Sequence, residues 1–181
     1  YEEADNQRGV YQGGDFKGIT EQIDYLDELG ITTIWISPIV SNIAYDVSSG
    51  TNDGAFYGYH GYWAQNFEEL NPHFGTLEEF HELIDTAAEK DIKIMVDVVL
   101  NHAGYGMHSK DSDVDDAPEG YPTEEDREVF EGMLRDSPGM DSLTQELDGL
   151  PDFTTEEQDV YEQLVDWQTA WLDLSTTPAG N

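Results

Sequence analysis

Residues 97–102 read D-V-V-L-N-H and place polar side chains where an apolar run ends. The run begins at Ile92, reads I-K-I-M-V-D-V-V-L, and consists almost entirely of Val, Ile, Leu and Met. This composition predicts a parallel strand that is buried on both faces. Asn101 and His102 would then leave the strand at its carboxyl end, where ligands bind in sheets and barrels of alternating strands and helices. We therefore expect a binding site at this strand end.

A second candidate site is the aromatic segment 57–63, which reads Y-G-Y-H-G-Y-W. Aromatic faces stack on the apolar faces of sugar rings, and Tyr, His and Trp also carry polar groups that can bond to sugar hydroxyls. The segment therefore suits a carbohydrate. Taken alone, it is explained equally well by aromatic packing beneath a long loop.

The elements that must position these residues alternate between helix and strand. Apolar residues at helical spacing predict an amphipathic helix over 16–29 that ends at Gly30, followed by a strand at 31–36. A second helix begins at Thr76, where a capping box with Glu79 is predicted, and leads into the strand from Ile92. Helix, strand, helix, strand is the pattern of a parallel α/β fold.

Two stretches of the chain have no clear periodicity. Residues 37–75 form a connection far longer than the usual two to six residues, which is typical of a functional loop. Residues 103–148 are rich in Asp, Gly and Pro and predict an irregular subdomain. After it, Thr154 and Glu157 predict a capping box for a last helix with an apolar stripe of Val160, Leu164, Trp167 and Trp171.

The composition excludes several classes of protein. Forty acidic residues against seven basic ones give a formal charge of −33, which would repel nucleic acids and anionic membranes. A charge of this size favours a high-salt environment, where counter-ions screen the self-repulsion. The chain has no cysteine for disulfides or thiolate metal sites, and no stretch approaches the roughly 20 apolar residues of a membrane span.

Four segments, in this order and spacing, resemble the α-amylase family of glycoside hydrolases: G-I-T-T-I-W-I-S-P at 30–38, Y-H-G-Y-W at 59–63, D-V-V-L-N-H at 97–102 and G-L-P-D-F at 149–153. The resemblance implies an α/β fold that is part of a (β/α)8 TIM barrel, with strands two and three at 31–36 and 92–100. An irregular subdomain would be inserted after strand three. The implied domains are 1–102 for the first part of the barrel, 103–152 for the subdomain and 153–181 for the return to the barrel.

The resemblance also implies roles in sugar binding. In the family pattern, His60, Tyr62 and His102 contact the sugar beside the scissile bond. Tyr62 would stack on the ring, and the two histidines would bond to its hydroxyls. Trp63 would shape the same subsite.

A calcium site is implied at Asn101 and at Asp152 of the L-P-D motif. An amide oxygen and a carboxylate are hard donors, and Ca²⁺ takes six to eight of them. The alternatives are a hydrogen-bonding strand cap for Asn101 and a turn residue after proline for Asp152. Gly13 and Asp15 resemble a second calcium site of some relatives, whose other ligands are expected upstream of this sequence.

Asp97 resembles the family aspartate that orients an arginine of the catalytic centre. The alternative is a buried polar group satisfied by backbone. Retaining glycosidases need two carboxyl groups about 5 Å apart. In the family the nucleophile lies in a strand-four G-x-R-x-D motif, which this sequence lacks.

We therefore expect a fragment of a longer enzyme, with the rest of that enzyme closing the barrel. The implied activity is retaining endo-hydrolysis of α-1,4-glucosidic bonds in starch, glycogen or maltooligosaccharides, by an enzyme secreted into a high-salt environment. One alternative is a cyclodextrin-forming or other α-glucan transglycosylase of the same family. An alternative of another class is a non-catalytic glucan-binding module.

Overall fold

The computed structural model describes residues 9–48, 54–110, 114, 116–141 and 144–181. The elements in chain order are α1 (Phe16–Thr20), α2 (Ile23–Glu28), β1 (Thr33–Ile36), β2 (Val40–Asn42), β3 (Ala64–Leu70), α3 (Leu77–Ala88), β4 (Lys93–Val96), α4 (Glu124–Glu128) and α5 (Gln158–Ser175).

The central feature is the parallel pair of β1 and β4, joined through α3 as the sequence predicts. The two strands run in register from Thr33 opposite Lys93 to Ile36 opposite Val96. Both are shorter than the predicted spans of 31–36 and 92–100, and the residues after Val96 continue as an irregular segment. Within the described residues, β1 and β4 pair only with each other, so they form no closed barrel.

The expectation that the strand from Ile92 is buried on both faces is wrong for this chain. Ile34 and Ile94 pack against the core beside α3, but Trp35 and Met95 share the opposite face and are 70% and 52% exposed. The apolar run therefore reflects one packed face and one uncovered face.

The predicted helix over 16–29 is divided in two. Asp15 caps α1 by accepting a hydrogen bond from the Gly18 N–H at 2.6 Å. The chain then tightens, because the Gln22 N–H donates to the Ile19 carbonyl three residues earlier at 2.9 Å. The apolar stripe continues through this turn, which is why the periodicity alone predicts one helix.

The two predicted capping boxes have different outcomes. At α3, Thr76 accepts from the Glu79 N–H at 3.2 Å while the Glu79 carboxylate accepts from the Thr76 N–H at 2.8 Å, which confirms the box. The box at α5 is wrong. Its N-cap is Glu157, which makes no side-chain capping bond, and the Thr154 hydroxyl donates instead to the Met133 carbonyl at 3.1 Å.

The long connection 37–75 contains an antiparallel pair, β2 and β3, that the sequence did not indicate. The register between the two strands shifts twice, β2 is only three residues long, and burial along β3 does not alternate. No clear period of two therefore marks the pair in the sequence. The predicted irregular subdomain contains the short α4. Isolated bridges join His102 to Asp152 and Leu134 to Phe153, so the subdomain returns beside the end of β4.

Two apolar clusters form the core. One lies between α1, α2, α3 and the β1–β4 pair and includes Phe16, Phe80 and Leu83. The other joins β2 and β3 to the subdomain and to α5, through residues that include Phe67, Phe130, Phe153, Leu164 and Trp167. Because this second cluster crosses residue 152, it holds α5 to the subdomain, and the division into three domains stays a prediction.

Candidate functional site

The aromatic segment 57–63 lies beside the carboxyl ends of β1 and β4. The rings of His60 and Tyr62 stack with centroids 5.7 Å apart and planes 23° apart. Trp63 meets His60 edge-on at 4.4 Å and also contacts Phe56 and Tyr105. Trp63 is half-buried, so it supports the wall of the site while the more exposed Tyr62 forms its surface.

Tyr62 is joined to the end of β4 by a hydrogen bond. Its hydroxyl donates to Asp97 Oδ2 at 2.8 Å, and this bond to a carboxylate raises the pKa of Tyr62. The two arginines in the described part of the chain bind elsewhere, Arg127 to the Pro122 carbonyl and Arg135 to Asp152. Asp97 therefore fixes the Tyr62 ring in this chain, and the sequence did not predict that contact.

His60 carries its ring proton on the nitrogen that is not bonded to the Tyr62 backbone. Its Nδ1 accepts a hydrogen bond from the Tyr62 N–H at 3.0 Å, so the proton of the neutral ring is on Nε2. Burial lowers the pKa of His60, which favours this neutral form. The Nε2–H group can then donate to a hydroxyl.

His102 lies behind Tyr62 and is only 6% exposed. Its Nε2 is 3.1 Å from the Tyr62 carbonyl oxygen, which can only accept, so Nε2 carries the proton in this contact. Burial lowers the pKa of His102, and its buried Nδ1 has no hydrogen-bond partner. As placed, His102 holds the Tyr62 backbone, and its predicted contact with a sugar hydroxyl stays a prediction.

A cavity of about 500 Å³ adjoins Tyr62 and His102. Tyr62, Asp97 and His102 line it beside the end of β4, and Ile94, Trp171 and Leu172 line the part between β4 and α5. Such a concave space with a few convergent polar groups is typical of a ligand site.

The two residues of the predicted calcium site lie together. The Asn101 amide donates to Asp152 Oδ1 at 3.2 Å, although the residues are 51 positions apart. The other Asp152 oxygen accepts from Arg135 Nε at 3.2 Å, and the Arg135 guanidinium forms two bonds of 2.7 Å with Glu156. Amide and carboxylate oxygens are of the kind that calcium binds, although here the Asn101 nitrogen faces Asp152 and Arg135 bonds to the second carboxylate oxygen.

Asn101 and Asp152 would leave most coordination positions of a calcium ion to other ligands. No group of three or more His, Cys, Asp or Glu side chains among the residues described could hold a metal ion. Gly13 and Asp15 line a different cavity of about 730 Å³. One Asp15 oxygen caps α1, and the predicted second calcium site stays a prediction.

The sequence did not single out Arg135 and Glu156. Their bidentate ion pair raises the pKa of Arg135 and lowers the pKa of Glu156 to about 2. Arg135 is one of the few basic residues in this acidic segment, and that rarity could have marked it as a partner for a carboxylate. The pair links the subdomain to the turn before α5.

Comparison with known proteins shows which family the chain matches. Residues 2–177 match the family Alpha-amylase, described as "Alpha amylase, catalytic domain". An α-amylase of Streptomyces lividans is 46% identical over 95 residues, which is 52% of this chain and 10% of that protein. A cyclomaltodextrin glucanotransferase of Bacillus licheniformis is 36% identical over 160 residues, covering 87% of this chain and 21% of the relative.

The fold comparison agrees with the sequence comparison. The crystal structure of an α-amylase from Geobacillus thermoleovorans, complexed with acarbose, superposes with a TM-score of 0.69 and 30% identity. The match covers 96% of this chain and 34% of that structure. The chain thus spans between a tenth and about a third of the proteins it matches here.

Proposed function

The chain belongs to the α-amylase family of glycoside hydrolases, and from this premise we propose that it contributes a sugar-binding part to a catalytic (β/α)8 barrel. The complete enzyme would catalyse retaining endo-hydrolysis of α-1,4-glucosidic bonds in starch, glycogen and maltooligosaccharides. The observation that carries this proposal is the Tyr62 ring, stacked on His60 and bonded to Asp97 at the end of β4.

In the proposed complex, Tyr62 packs against the apolar face of a glucose ring. Asp97 and the backbone contacts hold the Tyr62 ring, so little side-chain freedom is lost when sugar binds. The Nε2–H of His60 donates to a sugar hydroxyl, and Trp63 supports His60 from the side. The nucleophile and the general acid/base would come from parts of the enzyme outside this sequence.

The proposal is tested with the full-length gene product and soluble starch in molar KCl. We expect oligosaccharides whose new reducing ends are initially α-anomers, as NMR would detect. Tyr62→Ala should lower kcat/KM by about tenfold or more, because the stacking surface is removed. Tyr161→Ala, an exposed tyrosine on α5, is the matched control. Starch left intact by a folded full-length protein would refute the hydrolase proposal.

A transglycosylase of the same family is the second candidate. The similarity to a cyclomaltodextrin glucanotransferase favours it over unrelated activities. It predicts cyclic products or rearranged maltooligosaccharides from the same starch incubation. A third outcome, saturable glucan binding without bond cleavage and without G-x-R-x-D in the full-length sequence, would identify a non-catalytic binding module.

We also propose that Asn101 and Asp152 hold a calcium ion that ties the subdomain to the end of β4. Support comes from the proximity of the two side chains and from their oxygen chemistry. Chelation by EDTA in molar KCl should then lower the unfolding temperature of the wild-type protein but leave that of Asn101→Leu unchanged. Equal melting temperatures of the wild-type protein with EDTA and with added calcium would count against the ion.

The proposed enzyme is secreted and works in a high-salt environment. The net charge of −33 supports the salt requirement, because a surface so acidic is stable only when counter-ions screen it. In the part of the chain that the structure describes, no helix has both the length and the apolar character needed to cross a bilayer.

A further inference from the structure

Asn42, the last residue of β2, is a buried polar side chain with no role in the site as described so far. It is only 7% exposed, and its amide makes three hydrogen bonds. The Nδ2 group donates to the Val40 carbonyl at 2.9 Å and to the Gly61 carbonyl at 3.3 Å. The Oδ1 atom accepts from the Trp63 N–H at 2.7 Å.

Two of these bonds hold the peptide groups on either side of Tyr62. The peptide group before Tyr62 is held at its carbonyl by Asn42 and at its N–H by His60 Nδ1. The peptide group after Tyr62 is held at its carbonyl by His102 Nε2 and at its N–H by Asn42 Oδ1. Because both peptide planes are fixed, the direction of the Tyr62 Cα–Cβ bond is fixed as well.

The segment also approaches Asn42 closely. A Cβ on Gly58 would lie 3.2 Å from the Asn42 Cβ, tighter than most real contacts. Gly61 has φ of +86°, and a Cβ there would lie 2.4 Å from the Pro38 carbonyl oxygen. Gly58 therefore lets the backbone pass close to Asn42, and Gly61 lets it pass close to Pro38.

We infer that Asn42 is a positioning residue for the proposed sugar subsite and acts through Tyr62. The Asn42 amide is buried behind the aromatic segment, so it does not touch the sugar itself. Its shape and its combination of donor and acceptor match the two backbone groups that flank Tyr62. This inference rests on the proposed function, because it assumes that Tyr62 forms the stacking surface.

The test is a double-mutant cycle on acarbose affinity in the full-length gene product, measured by calorimetry. We expect Asn42→Leu to weaken binding by about tenfold in the wild-type background and by less than about twofold in the Tyr62→Ala background. A residue that merely stabilises the fold would weaken binding equally in both backgrounds. Asn66→Leu is the matched control, because the Asn66 side chain accepts from the nearby Glu68 N–H and is not bonded to the segment around Tyr62 in the described residues.

Each result of the cycle bears on a separate claim. If Tyr62→Ala leaves acarbose affinity unchanged, the proposed subsite is wrong and the inference falls with it. If Tyr62→Ala weakens binding but Asn42→Leu does not, only the role of Asn42 is refuted. The role of Asn42 is also refuted if Asn42→Leu weakens binding equally in the wild-type and Tyr62→Ala backgrounds. If thermal melting shows that Asn42→Leu does not fold, Asn42→Ser takes its place in the cycle, with the same criteria.

Discussion

At the scale of single residues, the properties of the site depend on which atoms are already bonded. The Tyr62 hydroxyl donates to Asp97, so the ring is held in place while its face remains accessible. His60 accepts at Nδ1, which leaves Nε2–H as the donor, whereas His102 uses its Nε2–H on the Tyr62 carbonyl. Two histidines in one site therefore have different roles, set by their hydrogen-bond partners.

Asp97→Asn should lower the pKa of Tyr62. In the wild-type protein the phenol donates to a carboxylate, which disfavours loss of the phenolic proton, and a neutral amide removes most of that effect. The pKa is measured from the absorbance of the phenolate in an alkaline titration, after subtraction of the Tyr62→Phe curve. Asp166→Asn, on an exposed face of α5, is the control, and an unchanged Tyr62 pKa in Asp97→Asn would contradict the contact.

At the scale of elements, the connection between the subdomain and the barrel strand is polar. The bridge between His102 and Asp152 continues into the bonds from Asn101 and Arg135 to the Asp152 carboxylate. Arg135 also binds Glu156, just before α5. The end of β4, the subdomain and the start of α5 are thus joined through one carboxylate and one guanidinium.

Glu156→Gln should lower stability at neutral pH but not in strong acid. The ion pair lowers the pKa of Glu156 from its ordinary 4.5 to about 2, so its contribution is complete above pH 4.5 and is lost as the pH falls through 2. Urea midpoints of the wild-type protein and the variant should differ at pH 7 and converge as the pH approaches 2. The neighbouring Glu157→Gln is the control, and a difference that does not depend on pH would refute the assignment.

At the scale of the whole molecule, charge and exposed apolar surface are both unusual. The acidic surface repels itself, and Trp35 and Met95 leave one face of the β1–β4 pair uncovered. In the proposed barrel this face points inward and is covered by the remaining strands. Salt and the rest of the proposed enzyme would then both stabilise this part.

The unfolding midpoint should rise as KCl is increased from 0.1 M to 2 M. The screening length falls from about 10 Å at 0.1 M to about 3 Å at 1 M, which weakens repulsion between surface carboxylates. Thermal melts monitored by circular dichroism measure the midpoint. Sucrose at matched osmolality is the control, because it favours burial without screening charge. A midpoint independent of KCl would contradict the proposed salt requirement.

The sequence by itself determined the features that depend on neighbouring residues. The capping box of α3, the alternation of helix and strand around β1 and β4, and the placement of Asn101 and His102 after the second strand all follow from local patterns. The family was also evident from four motifs, because the order and spacing of motifs are properties of the sequence alone.

Only the tertiary structure decided the contacts between distant segments. The bond from Tyr62 to Asp97 spans 35 residues, and that from Asn101 to Asp152 spans 51. The bonds from Asn42 to the peptide groups around Tyr62 join β2 to a distant part of the same long connection. The β2–β3 pair was not predicted, because its register shifts twice and burial along β3 does not alternate. Such contacts depend on how loops close and on which polar groups still need a partner after packing. A local sequence pattern predicts neither of these.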